Sequence, residues 1–224
     1  MLANIVFEFF LKGGPVMWPI LICALVAVAV VGERTFWWWK ERLKREPQKL
    51  EQLFAALENF DVAAAKKISG DSEDPIIRTV YHGLQHSGHS HSLLGALQLA
   101  AGIELKRAGR FLMVMDTLVT LAPLLGLLGT VTGLMRAFLN IGTAELSVTG
   151  VTGGIGEALI ATACGLGIAI FALIPFNYFS AKVAQLQFEL ETAATNVEVM
   201  VGGSGKTSEI HLAKPEAPVQ ATSH

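Results

Sequence analysis

Three stretches of the chain are almost entirely apolar, and amphipathic or polar segments separate them. The three stretches contain no Asp, Glu, Lys, Arg or His: Val16–Val31, Thr117–Met135 and Ala158–Ser180. A spanning helix needs roughly 17–25 apolar residues to cross about 30 Å of hydrocarbon. Each stretch reaches that length with its flanking residues. The pattern therefore predicts three transmembrane helices, over residues 15–35, 111–139 and 157–180.

The segments that follow the spans show the spacing of helices with one apolar face. After the first span, apolar side chains recur at three- and four-residue steps: Leu50, Leu53, Phe54, Leu57 and Phe60. A similar stripe follows the third span: Val183, Leu186, Leu190, Ala193 or Ala194, and Val197. From Leu93 the helical pattern enters the second span without a breaker before Pro123. We therefore expect the second and third spans to continue as helices that pack beyond the membrane.

The predicted fold class is an all-α membrane protein with three transmembrane helices, the second and third extended into a cytoplasmic helical bundle. The remaining segments are predicted as an interfacial segment over 1–14, a cytoplasmic helical domain over 36–110, a loop over 140–156, a helix over 181–201 and a tail over 202–224. The tail is rich in Gly, Ser, Pro and Lys, which is typical of disorder.

The distribution of basic residues predicts the orientation of the chain. Twelve of the 17 Lys and Arg residues lie between Arg34 and Arg110, whereas the segment from Asn140 to Glu157 has none. Loops rich in Lys and Arg stay in the cytoplasm. We therefore expect the N-terminus outside and both the long loop and the C-terminus in the cytoplasm.

Composition agrees with a membrane protein and disfavours one class of partner. Hydrophobic residues make up 52% of the chain and charged residues 16%, against about a quarter charged in soluble domains. The formal net charge of −2 argues against a nucleic-acid partner. Both cysteines, Cys23 and Cys164, lie in apolar stretches and are expected to behave as small hydrophobic residues.

Gly202 to Thr207 resembles a phosphate-binding loop, because its last residues read Gly-Lys-Thr. The signature G-x-x-x-x-G-K-[ST] requires a first glycine at position 200, which is Met200. Only 17 residues follow Thr207, too few for a nucleotide fold. The segment is therefore interpreted as part of the tail, which removes an ATP-driven transporter from consideration.

A histidine-rich run offers spacing that suits a metal ion: His82, His86, His89 and His91. The residues around these histidines are Gln, Ser and Gly, which is typical of a solvated loop, and histidine-rich tracts are only compositional hints. The loop interpretation is favoured, and we predict no metal and no cofactor.

The second apolar stretch carries two different faces. Gly126, Gly129 and Gly133 place small residues on one strip, at a spacing that lets another helix approach closely. Asp116, Thr120 and Thr130 lie on a separate, more polar face. The simpler explanation for the threonines is a hydrogen bond to the carbonyl four residues earlier in their own helix.

The third stretch is predicted to begin at Glu157, and Thr162 lies about 7 Å further along the helix. Ionisable residues in spans are functional candidates, although a carboxylate at a helix start is also favoured by the helix dipole. Because the second and third helices run antiparallel, Thr130 and Thr162 both reach the middle or outer half of the membrane. Together with Glu157 they suggest a polar, water-holding path.

Two long motifs carry a family resemblance. Ala122-Pro-Leu-Leu-Gly-Leu-Leu-Gly-Thr-Val-Thr-Gly-Leu-Met-Arg-Ala-Phe138 resembles the second-span signature of the MotA/TolQ/ExbB proton-channel family. Gly156-Glu-Ala-Leu-Ile-Ala-Thr-Ala-Cys-Gly-Leu-Gly167, with Ile174-Pro-Phe-Asn-Tyr178, resembles its third span. The resemblance covers roughly residues 15–200 and is strongest to the ExbB branch, with TolQ next.

The resemblance implies a non-enzymatic subunit of a proton-driven motor in the bacterial inner membrane, with a periplasmic N-terminus. It implies a homopentamer that encloses two single-span ExbD-like subunits and energises a TonB-like protein across the periplasm. By motif alignment it assigns Glu157, Thr162 and Thr130 to the proton pathway. The polar face of the second span adds Asp116 and Thr120 as possible accessory residues.

Two other functions stay open at this stage. One is a TolQ-like role in outer-membrane integrity and division, and the other is a non-conducting scaffold for partner helices. Threonine does not titrate in the physiological range, and no span has an Asp, Glu or His in its core. If protons cross the membrane, we therefore expect a second protein to contribute the carboxylate at mid-membrane.

Overall fold

The computed structural model of the protein describes residues 13–85, 90–141 and 148–210, with side chains over 13–85, 93–139 and 151–201. The described residues form seven helices: α1 Met17–Leu43, α2 Pro47–Glu58, α3 Val62–Ser69, α4 Pro75–Gln85, α5 Ser90–Ala108, α6 Leu112–Ile141 and α7 Val148–Ile210. Three of them are long and apolar enough to cross a membrane: α1, Leu112–Leu139 in α6 and Val151–Val201 in α7. The predicted all-α class with three apolar spans is confirmed.

The apolar pattern predicts one continuous helix from Leu93 into the second span, but the structure has two separate helices there. The helix α5 ends at Ala108, and α6 begins at Leu112. Phe111 adopts the left-handed region with a φ of 64°, and the Leu112 amide donates to the Gly109 carbonyl over 3.2 Å. A break of only three residues gives little signal in the sequence pattern, so periodicity does not reveal it.

The third span belongs to a single helix that is longer at both ends than the sequence predicted. Because α7 begins at Val148, half of the predicted loop over 140–156 is helical, and Glu157 lies well inside the helix. The helix also continues to Ile210, into the predicted disordered tail. Extending an existing helix avoids the cost of nucleation. Residues 142–147 and 211–224, like the interfacial segment over 1–12, lie outside the described residues.

One compact unit contains residues 13–40 and 109–183, and we call it the membrane unit. Within it, α1 packs on α6 and α7 through a strip at helical spacing: Val16, Ile20, Cys23 and Ala27. The outward faces of all three helices are apolar and exposed, including Leu25, Leu124 and Ile170. Exposed apolar surface of this extent suits contact with lipid or with other spanning helices.

A second compact unit contains residues 41–108 and 184–210, and we call it the helical domain. Its core is formed by large side chains of α2, α4 and α5, including Leu53, Ile77 and Leu97. The stripe predicted after the third span is confirmed over its main part: Leu186, Leu190, Ala193, Ala194 and Val197 are buried.

Ion pairs join the helices of the helical domain. The Arg78 guanidinium of α4 donates to the nearly buried Glu104 carboxylate of α5 over 2.9 Å. Arg45 donates to Glu189 of α7 over 2.7 Å.

The pKa of Glu46 is lowered, first by the hydrogen bond from Ser72 and then by the one from Lys49. Glu46 therefore stabilises the domain above its unfolded-state pKa, and this contribution is lost as the pH falls through its lower folded-state pKa.

Candidate functional site

The three glycines of α6 that the sequence singled out face α7 of the same chain. A Cβ on Gly126 would lie 3.2 Å from the Ala161 carbonyl oxygen, and one on Gly133 would lie 2.8 Å from the Gly154 carbonyl oxygen. A Cβ on Gly129 would collide with the Cβ of Ala161. At all three positions a Cβ would therefore press against or overlap with atoms of the neighbouring helix.

Helix α7 contributes glycines to the same contact. A Cβ on Gly154 would lie 2.8 Å from the Gly133 carbonyl oxygen, and one on Gly165 would lie 2.5 Å from the Ala122 carbonyl oxygen. Glycine is normally unfavourable inside a helix, but here it allows contact between the two backbones. We call this contact between α6 and α7 the glycine seam.

Glu157 and Arg136 form an ion pair across the two helices. The Arg136 Nη1 atom lies 2.7 Å from the Glu157 Oε1 atom, and the side chains are 48% and 16% exposed. Glu157 lies nine residues after the start of α7, or about 13 Å along the helix. The favourable helix-start charge considered for Glu157 therefore does not apply, because that effect falls off within the first turn.

Sequence reasoning gave Arg136 no role of its own, although the residue lies within the family motif. The signal was present, because Arg136 is the only Lys or Arg between Arg110 and Lys182. An isolated cation in an apolar span usually has a partner. Which carboxylate it meets depends on the register of two antiparallel helices, and the glycine seam sets that register.

The structure treats the two pathway threonines differently. The Thr162 hydroxyl donates to the Gly126 carbonyl of α6 over 2.9 Å and so joins the two helices at the glycine seam. The Thr130 hydroxyl donates to the Leu127 carbonyl of its own helix over 2.6 Å, so the bond stays within the helix, as the simpler explanation expected, but to the carbonyl three residues earlier and not four. Of these two threonines, Thr162 is therefore the one whose hydroxyl bonds to the neighbouring helix.

The accessory candidates lie at the opposite end of α6 from the ion pair. Asp116 is exposed, and the Thr120 hydroxyl donates to the Thr117 carbonyl over 3.0 Å and to the Asp116 carbonyl over 3.3 Å. From Asp116 to Arg136 the helix rises about 30 Å, which is close to the thickness of a hydrocarbon core. The two carboxylates, Asp116 and Glu157, therefore flank the apolar part of the membrane unit.

The histidine-rich run lies mostly outside the described residues. Of its members, His82 is exposed on α4, whereas the side chains of His86, His89 and His91 are not described. Among the residues that are described, no three His, Cys, Asp or Glu side chains come close enough together to hold a metal ion. The side chains of 202–207, which resemble a phosphate loop, are likewise outside the described part.

The arrangement suits ion movement better than bond chemistry. The membrane unit offers one carboxylate and its cationic partner at one end of an apolar helix pair, followed by a hydroxyl bonded across the glycine seam. A carboxylate that leaves water for such a place needs a partner of opposite charge, and Arg136 supplies it.

Comparisons with known proteins agree with these features. Residues 71–192 match the MotA/TolQ/ExbB proton channel family. The putative biopolymer transport protein ExbB-like 1 of Synechocystis sp. is 36% identical over 197 residues, covering 80% of this chain and 76% of the relative. The biopolymer transport protein ExbB of Salmonella typhimurium is 28% identical over 220 residues, covering 92% of this chain and 87% of the relative.

Over a shorter segment, another relative has a higher sequence identity to this chain. The biopolymer transport protein ExbB of Neisseria gonorrhoeae is 42% identical over 79 residues, which are 35% of this chain and 36% of that protein. The family match covers more than half of the chain and includes the glycine seam, the Arg136–Glu157 pair and Thr162. On this basis the chain belongs to the MotA/TolQ/ExbB proton channel family.

Proposed function

We propose that this chain is the proton-channel subunit of an ExbB–ExbD-like motor, which uses the proton motive force to energise TonB-dependent transport across the outer membrane. It lies in the bacterial inner membrane, with the N-terminus in the periplasm and the helical domain in the cytoplasm. The names of its relatives favour an ExbB-like role over a TolQ-like one.

The observation that carries this proposal is the Arg136–Glu157 ion pair at one end of an apolar helix pair. Its atoms are 2.7 Å apart, and the Glu157 side chain is 16% exposed. A carboxylate at this position, paired with a cation of the neighbouring spanning helix, is a functional candidate. In the proposed path a proton enters at Glu157 and continues along the hydroxyl-bearing faces of α6 and α7, which include Thr162 and Thr130.

The proposal includes partners, because no predicted span has an Asp, Glu or His in its middle. Between Glu157 and the far end of α7's apolar stretch at Ser180 there is no Asp, Glu or His. We propose a homopentamer that surrounds a dimer of single-span ExbD-like subunits, whose aspartate completes the path. The exposed apolar faces of α6 and α7 suit contact with lipids and with these helices.

The energy available is enough to move packed helices without any bond chemistry. One charge that crosses 100 mV releases about 2.3 kcal/mol. That amount biases a two-state rotation or tilt by a factor of roughly fifty. The subunit then passes this movement to a TonB-like protein that spans the periplasm.

Thr162 provides the test that separates a channel from a scaffold. Thr162→Val keeps the shape but removes the hydroxyl, whereas Thr162→Ser keeps the hydroxyl that donates to Gly126. We expect Val to abolish proton uptake by the reconstituted complex and Ser to retain it. Both should leave assembly intact, because hydrogen bonds between membrane helices are worth on average only about 0.6 kcal/mol. Full uptake by the Val variant would favour a non-conducting scaffold.

A further inference from the structure

The turn that precedes α1 lies directly against the Glu157 carboxylate. Gly14 adopts the left-handed region with a φ of 73°. A Cβ built on Gly14 would collide with the Oε1 and Cδ atoms of Glu157. Only glycine avoids both the backbone strain and the collision, so the main chain approaches the carboxylate more closely than any other residue would allow.

Packing of the start of α1 fixes this turn in place. Val16, Met17 and Ile20 are buried against Ala161, which lies about one turn beyond Glu157 on α7. The Met17 amide donates to the Gly14 carbonyl over 3.1 Å and closes the turn. The position of Gly14 over the carboxylate is therefore set by the core of the membrane unit.

The two side chains of the ion pair differ in their exposure to solvent. The Arg136 side chain is 48% exposed, but that of Glu157 is 16% exposed. The turn at Gly14 lies against the carboxylate, which accounts for part of that difference. Because the turn lies against the carboxylate, it restricts the directions from which water can reach Glu157.

We infer that Gly14 is a positioning residue for Glu157: its missing side chain lets the turn before α1 hold the carboxylate against Arg136 and limit its contact with water. This inference rests on the proposed function for its consequence, but the contact itself does not. A residue with a Cβ at position 14 pushes the turn and the carboxylate apart.

The first experiment tests the contact without any assay of activity. Gly14→Ala is made in the native chain and in a Glu157→Ala background, and the melting temperature of each purified protein is measured in detergent. We expect a larger fall in the native background, because only there does the new Cβ meet the carboxylate. Equal falls in the two backgrounds would overturn the contact.

The second experiment measures proton uptake by the complex with its single-span partner in liposomes. Gly14→Ala and Gly14→Asn should each slow uptake by about tenfold or more, since small misplacements of reacting groups are costly. Asn tolerates a positive φ, so a normal rate for Asn alone would show that backbone strain, and not the collision, is the cause, which overturns the inference. Gly32→Ala should leave the rate unchanged, because a Cβ at this position of α1 would meet no atom of the described residues within 4 Å beyond the nearby helix backbone.

A rescue variant adds a measurement that a purely structural role would not move. Glu157→Asp withdraws the carboxylate by one methylene and makes room for the new Cβ. The Gly14→Ala, Glu157→Asp double variant should therefore conduct protons faster than Gly14→Ala alone, and an equal or lower rate would count against positioning.

If Gly14→Ala conducts normally while Glu157→Gln does not, the positioning role is wrong and the proposed function stands. If neither substitution changes uptake, the proposed function itself fails.

Discussion

We expect Glu157→Gln to reduce proton-motive-force-driven uptake to the level of liposomes without protein, with normal insertion and assembly. Gln has the size of Glu and still accepts a hydrogen bond from Arg136, whose Nη1 atom lies 2.7 Å from the carboxylate. The amide cannot bind and release a proton in the physiological range. The measurement is proton uptake by the reconstituted complex under an imposed pH gradient.

Two controls separate proton transfer from structural support. Glu198→Gln, on an exposed position of α7 in the helical domain, should conduct normally. The combined Arg136→Gln, Glu157→Gln variant removes both charges together, so that neither is left without its partner. If Glu157 served only to neutralise Arg136, this double variant would recover activity. We expect it to stay inactive, and a recovered or fully active Gln variant would reduce Glu157 to a structural residue.

The second large effect is expected at the glycine seam. Gly129→Leu places a whole isobutyl group where even a Cβ collides with Ala161. Overpacking of this kind typically costs about 1–3 kcal/mol or more, and the backbone contact leaves little room for relaxation. We expect α6 and α7 to separate, with a lower melting temperature in detergent and loss of the native oligomer by mass spectrometry.

Gly167→Leu is the matched control for this prediction. It adds the same side chain to a span, but beyond the nearby backbone of α7 itself no atom of the described residues lies within 4 Å of a Cβ at Gly167. The protomer should therefore keep its melting temperature. An unchanged oligomer and melting temperature for Gly129→Leu would count against the packing role of the seam. Because this glycine faces its own chain, the expected loss of the oligomer follows from damage within each subunit.

The apolar spans and the amphipathic helices were predictable because each carries its signal in its own spacing. The buried faces of α2 and of α7 beyond the span follow three- and four-residue steps that need no tertiary information. Residues Leu53, Leu57, Leu186 and Leu190 are buried as that spacing requires. Length and hydropathy were enough for the three spans.

Features that depend on contacts between helices were not predictable in this way. The segment before Glu157 contains Gly150, Gly153, Gly154 and Gly156, which is typical of a loop. Gly154 is nevertheless helical, and it packs on Gly133 of α6. Tertiary packing therefore outweighed the weak helix propensity of glycine.

The Arg136–Glu157 ion pair and the contact of Gly14 with Glu157 were not predictable from the sequence for the same reason. Arg136 and Glu157 are 21 residues apart, and only the register of the glycine seam brings their side chains together. Gly14 reads as a breaker before the first span, and its contact with Glu157 requires the packing of α1 on α7. The left-handed conformation of Phe111 between α5 and α6 was also not predictable, because bulky aromatic residues rarely adopt that conformation.

The most direct test of the proposed channel measures proton uptake into liposomes under an imposed pH gradient, with and without the single-span partner. Thr130 and Thr162 only form hydrogen bonds, so the chain alone should take up few protons. Adding the partner should raise the rate, and replacing the partner's membrane aspartate by asparagine should remove the gain. Rapid uptake by this chain alone, unaffected by the partner, would contradict a shared pathway and would point to Asp116 and Glu157 as the only carriers.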